Sequence, residues 1–167
     1  MKLTDLIRAQ GGLMAGLLPA EGAIDNGHGP AQLAAAGPRT QKAPAAYELL
    51  VEAIYEGYLL HYGPPRLLRP DEADMGLLAG DQLYALGLSR LVALGDLVAV
   101  AELADVISLT ALAHGAGNVE LAGAVWDAGA CAVGWGPSAE HAQAKALARA
   151  GAPEAVAALR AVANRYS

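Results

Sequence analysis

"EGYLLHYGPPRLLRPDEADMGLLAGD", residues 56–81, decides the fold. Gly63, Pro64 and Pro65 separate two segments in which Leu, Ala and Tyr recur at helical spacing. Proline has no N–H to give to a helix and pushes the residue before it out of the helical region. The stretch therefore reads as a turn between two antiparallel helices. Upstream, residues 45–62 place Tyr47, Leu50, Val51, Ile54, Tyr58 and Leu59 on one broad face, and Glu48, Glu52 and Glu56 four residues apart on another. Downstream, Asp71 stands where a residue would cap a second helix running to Leu94.

The same punctuation recurs toward the C-terminus. Gly95 and Asp96 end one helix and cap the next, which spans 97–114. "GAGN" precedes a helix over 119–133, "GWGP" ends it, and Ser138 caps another over "AEHAQAKALARA". Gly151 is the next stop, and Pro153 opens the last helix. Consecutive helices joined by short loops predict an all-α antiparallel bundle of about five to six helices over residues 45–167.

Ahead of the bundle, residues 3–18 carry Leu3, Leu6, Ile7, Met14, Leu17 and Leu18 in a partly amphipathic pattern weakened by glycines, so a short helix is expected. From Pro19 to Pro44 the chain is rich in Gly, Pro and Ala without a sustained apolar face and reads as a linker. Residues 1–44 are thus expected to form an extended N-terminal arm whose Leu3, Leu6, Ile7, Leu17 and Leu18 dock on a partner.

A chain of 167 residues suits one core. It is 54% hydrophobic with no Phe and only 5% aromatic residues, so Ala, Leu and Val must fill that core, which suits closely approached helices. Eleven Lys and Arg against 17 Asp and Glu give a net charge of -6, and no window gathers the cations a phosphate backbone requires, so no nucleic-acid partner is expected. The single Cys131 forms no internal disulfide and has no neighbouring Cys or His to share zinc, so a buried thiol in a reducing, cytoplasmic setting is expected. Asp5, Arg8, Gly11 and Gly12 break the N-terminal apolar run, and no stretch reaches the roughly 18 uninterrupted apolar residues of a transmembrane helix. Neither a signal peptide nor a membrane span is therefore expected.

No spacing demands a particular chemistry. The Glu48, Glu52, Glu56 stripe lacks the Glu-x-x-His pairs of di-iron bundles and reads as a solvated acidic face. His61 follows Glu56 by five residues and His141 adjoins Glu140, and neither spacing puts two ligands on one metal from one helix face. His28 lies in the linker, while His61 and His114 sit at helix ends, where a cationic ring suits the dipole. Ser89, Ser108 and Ser138 lack a nucleophile-elbow frame. "GAGNVELAG" has neither a preceding strand nor a Lys to make a phosphate loop. Tyr55, Tyr58, Tyr62 and Tyr84 cluster around the first turn, and Trp126 and Trp135 lie nine residues apart. These aromatics either line a groove or interface, or fill the core.

With the helices placed, "LLAGDQLYALGLSRLVALGD" resembles the segment that follows the first aspartate-rich motif of trans-polyprenyl diphosphate synthases, through Leu78, Ala79, Gly80 and Asp81. The likeness extends at lower specificity to "VEAIYEGYLLHYGPPRLLR" before it and to Gly115 after it, over roughly residues 45–150. Where that family shows Asp-Asp-x-x-Asp, this chain has "HYGPP", residues 61–65, and it ends before a second aspartate-rich helix. Prenyl transfer needs metal-held charge to offset the leaving diphosphate. The resemblance therefore implies a shortened, non-catalytic relative with no catalytic, metal or cofactor residues of its own. Such a relative acts as an accessory subunit or binds an isoprenoid tail, with Tyr55, Tyr58, His61, Tyr62, Asp81 and Tyr84 as groove or partner contacts. A helical scaffold subunit that grips a protein partner through its N-terminal arm is the alternative.

Overall fold

The computed structural model of the chain describes residues 1–20 and 29–166. Nine helices lie among the described residues: α1 (Leu3–Gln10), α2 (Gly12–Gly16), α3 (Pro30–Ala35), α4 (Pro44–Tyr62), α5 (Ala73–Ala93), α6 (Leu97–Gly115), α7 (Val119–Trp135), α8 (Ala139–Arg149) and α9 (Ala155–Ala163). No strand occurs among them, and the fold is the expected all-α bundle.

The expected capping chemistry closes the later helices. Gly95, at φ 80°, lets the chain leave α5 through a bond from the Asp96 N–H to the Leu91 carbonyl, and the Asp96 carboxylate then accepts the Ala99 N–H at 3.0 Å. Asn118 and Ser138 accept the N–H groups of Leu121 and His141 in the same way, each at 3.0 Å. The expected Asp71 cap is corrected: Glu72 takes the extended N-cap backbone without a side-chain bond, and Asp74 supplies the first-turn negative charge instead.

α4 is the central element, buried on two sides. One side joins the main core, which Tyr47, Leu50, Val51 and Ile54 share with residues of α3, α6, α7 and α9. The other, with Leu49 and Ala53, meets a smaller core formed by α1, α2, α5 and the 67–68 loop. α4 and α5 run antiparallel and cross where Gly57 meets Gly80. α7 is buried along most of its length because Ala and Gly admit its neighbours closely: a Cβ on Gly129 would collide with the Val106 side chain. Cys131 lies in this helix, 1% exposed, with burial the main cause raising its thiol pKa to about 11.

The extended arm is corrected by the packing. Leu3, Leu6, Ile7 and Leu17 are buried in the smaller core, and Leu18 packs against it. Leu67, Leu68, Ala79 and Leu83 of the chain itself cover the surface expected to meet a partner. Apolar area on α1 and α2 is removed from water there as effectively as it would be by a second protein.

The expected linker also holds structure. Pro30 sets the first turn of α3, the Gln32 side-chain carbonyl accepts the Gly29 N–H at 2.8 Å, and its amide donates to Glu48 at 3.1 Å. Gly37 packs on the Gly134 backbone, where a Cβ would collide with the Gly134 carbonyl. Arg39 then donates to the Val133 carbonyl at 2.6 Å and to Asp96 at 2.8 Å, while the Tyr47 hydroxyl donates to the other Asp96 oxygen at 2.7 Å. Ala and Gly make this segment look featureless in sequence, yet small size is what permits the close approach. His28 lies outside the described residues.

α6 is long and apolar enough, by length and composition, to cross a membrane, and only 39% of its most apolar window is buried. Glu102 and Asp105 interrupt its apolar run. Both carboxylates are held by α8: His141 Nε2 lies 2.7 Å from Glu102, and Lys145 bridges Glu102 and Asp105. Burial works to raise the Glu102 carboxyl, but hydrogen bonds from His141 and Lys145 outweigh it and hold the group below its ordinary value.

Candidate functional site

Tyr55, Tyr58 and Tyr62 follow one another at three- and four-residue steps, so α4 presents them on one face. Tyr58 is the hub, its ring centroid 5.8 Å from Tyr55, 5.4 Å from Tyr62, 5.5 Å from Trp126 and 5.6 Å from His114. Its hydroxyl lies 2.8 Å from His114 Nε2 and donates when the imidazole proton is on Nδ1. Tyr62 stacks flat on the same imidazole, with centroids 4.2 Å apart and planes 2° from parallel. Burial, then the neighbouring Tyr55 and Tyr62, raises the Tyr58 hydroxyl pKa.

His61 extends the ladder across to α5, stacking on Tyr84 at 5.2 Å with planes 9° apart. Its Nε2 lies 3.0 Å from an Asp81 oxygen but is not aligned for a hydrogen bond, so the pair is a close polar contact. Tyr84 is strongly raised by burial, with smaller contributions from Tyr62, Tyr58 and Asp81. The six expected contact residues, Tyr55, Tyr58, His61, Tyr62, Asp81 and Tyr84, thus form one ladder along the α4–α5 hairpin.

On the far side of Tyr55 and Tyr58 the ladder opens into a cavity of about 430 Å³, walled also by Leu33, Trp126, Arg66 and Asp127. The Arg66 guanidinium carbon sits 5.1 Å from the Tyr55 ring centroid, in cation–π range. The Trp126 indole N–H is buried and has no acceptor. Burial raises the Asp127 carboxyl, with Arg160 pulling the other way. The walls offer flat aromatic faces, the Arg66 cation and the Asp127 carboxyl. That composition suits an apolar ligand with a polar end.

The turn beside this cavity is fixed by Glu56, one of the three residues of the expected solvated stripe. It is 2% exposed, and its carboxylate accepts the backbone N–H groups of Arg66, Leu67 and Leu68 at 3.0, 2.8 and 3.0 Å. The solvated-stripe expectation is corrected by those three donors, which replace water around the charge. Glu52, half-buried between Glu48 and Glu56, has its carboxyl pKa raised, by burial first and then by its two acidic neighbours.

Spacing within α4 points to the tyrosines. It is silent about Leu33, which lies on the segment read as a linker, and about Arg66, Trp126, His114 and Asp127, which arrive from other elements. Trp135 lies elsewhere, stacked on Tyr166 at 5.0 Å. Ser89 and Ser108 donate to carbonyls of their own helices, and Ser138 caps α8. No group of three or more His, Cys, Asp or Glu side chains is placed to share a metal ion among the described residues.

Comparison with protein-family models, with curated proteins and with solved structures finds no match to this chain.

Proposed function

We propose that this protein is a non-catalytic, polyprenyl-synthase-like helical subunit that holds an isoprenoid tail in the cavity beside Tyr55, Tyr58 and Trp126. The carrying observation is the cavity itself, about 430 Å³ with aromatic and Leu33 walls and the Arg66 cation at its edge. A branched polyene buries well against flat rings, and Arg66 would take the polar end. The likeness of Leu78, Ala79, Gly80 and Asp81 to the prenyl-synthase segment supports the ligand class. The His61, Tyr62 and Gly63 turn in place of metal-binding aspartates supports a binding rather than an ionising role.

Titration with farnesol, read by tryptophan fluorescence and by native mass spectrometry, tests this. Saturable binding is expected, and it should be weakened by Leu33→Trp, which fills the cavity, with no change in helical circular dichroism. Absence of saturable binding, together with no isoprenoid in the solvent extract of natively purified protein and no prenyl synthase recovered in a pull-down, overturns it.

The scaffold reading that relied on a free N-terminal arm has no such support, since Leu3, Leu6 and Ile7 are buried within the chain.

A further inference from the structure

The charges around the Tyr55–Trp126 cavity bear on which polar end it accepts. Arg66 is the one cation among its described lining residues. Its guanidinium lies against the Tyr55 ring and donates to no acceptor among the described residues, which leaves N–H groups for a ligand oxygen. Three carboxylates share that single positive charge. Glu56 accepts the Arg66 backbone N–H at 3.0 Å, so one negative charge sits at the foot of the same residue. Glu52, raised by burial first and then by Glu48 and Glu56, is drawn the other way by Arg66. Asp127, exposed on α7, lines the cavity itself. It makes no ion pair among the described residues, and Arg160, the cation that steadies it, is held by Glu120 at 2.7 Å.

This balance separates two head groups that an isoprenoid can carry. A diphosphate brings several negative charges into a cavity whose one cation is already shared with Glu52, and it meets the Asp127 carboxylate there as well. Sites that hold such anions gather several cations or backbone N–H groups around them. A hydroxyl is neutral, asks for one donor to its oxygen, and is not repelled by either carboxylate.

We infer that the cavity selects a free prenyl alcohol over its diphosphate, with Arg66 donating to the hydroxyl oxygen and Asp127 turning anionic head groups away. This rests on the cavity being an isoprenoid site, as proposed above, and adds the chemistry of the head group and the residue that sets it. Asp127 acts through its field and need not touch the ligand, because like charges about 8 Å apart still repel where apolar walls keep water out.

Titration of the full chain with farnesol and with farnesyl diphosphate, in metal-free buffer and read by tryptophan fluorescence, tests the inference. The two share one tail, so their affinity ratio reports the head group alone. At low salt farnesol should bind at least about tenfold more tightly. Raising the salt from about 0.02 M to about 0.5 M should narrow that ratio, because salt screens charge and leaves bulk unchanged. Asp127→Asn keeps the shape of the side chain at an exposed position, so it should narrow the low-salt ratio severalfold with the circular dichroism of the parent. Saturation by neither ligand overturns the isoprenoid site and the selectivity together. Saturation by the diphosphate as tightly as by farnesol leaves the isoprenoid site standing and overturns the selectivity alone, as does a ratio unmoved by salt or by Asp127→Asn.

Discussion

Gly57 and Gly80 meet across the α4–α5 crossing so closely that a Cβ on either would lie 2.9 Å from the other's carbonyl oxygen. Backbone cannot yield as a flexible side chain would, so Gly80→Ala must part the helices. It would also press on His61, whose Cδ2 lies 2.8 Å from the added carbon. A loss of about 1–3 kcal/mol is expected from urea unfolding, with the far-ultraviolet spectrum retained. An unchanged midpoint would show that the crossing is looser than described.

Glu56 offers the second test. Glu56→Gln keeps the shape of the side chain but replaces the carboxylate that receives three N–H groups with a single carbonyl acceptor. Stability should fall by about 1.5–3 kcal/mol. Limited proteolysis should then cut first within residues 63–70; cleavage elsewhere at the parent rate would disprove the role given to this carboxylate.

Arg39 and Asp96 tie the segment before α4 to the start of α6. Arg39→Ala and Asp96→Ala should couple in a double-mutant cycle by about 0.5–3 kcal/mol, because each removes the other's partner at 2.8 Å. Simple additivity would mean that the bond contributes nothing in solution.

The acid response follows from the carboxylates. Burial alone would raise Asp96, Glu102 and Asp105, but hydrogen bonds and nearby cations outweigh it, so all three hold their protons less readily when folded than at the ordinary 3.8 for Asp or 4.5 for Glu. The unfolded chain therefore takes up more protons as pH falls, and the stability these groups supply at neutral pH is lost below those ordinary values. Glu52 and Asp127, raised by burial, work in the opposite sense and soften the decline. Urea midpoints at about pH 7, 5 and 3 should fall chiefly in the last interval, and Glu102→Gln should flatten that fall.

Leu6 belongs to the segment expected to reach for a partner, yet it is 2% exposed against the chain's own hairpin. Leu6→Ala should cost about 2–5 kcal/mol in the isolated protein. A substitution without effect on the thermal midpoint would restore the arm to partner binding.

The long helices were legible because their signals are local. Pro64, Gly95, Asp96, Asn118 and Ser138 act within a turn of where they stand, and the tyrosine spacing on α4 lies in one element. The burial of Glu56 is not legible in the spacing of α4, because its three donors lie 10 to 12 residues away in a turn without periodicity. The structure of the 30–43 segment is hidden in the sequence because Ala and Gly carry little pattern, although they are what lets α3 lie against α4 and α7. The cavity needed Leu33, Arg66 and Trp126 together, which only the tertiary arrangement supplies.

Cys131 gives the molecule a built-in clock. Its sulfur is shielded within α7, 3.7 Å from the Ala163 carbonyl, and its proton is tightly held. A thiol reagent in excess can reach it only when the surrounding helices part, so the labelling rate reports how often that corner opens.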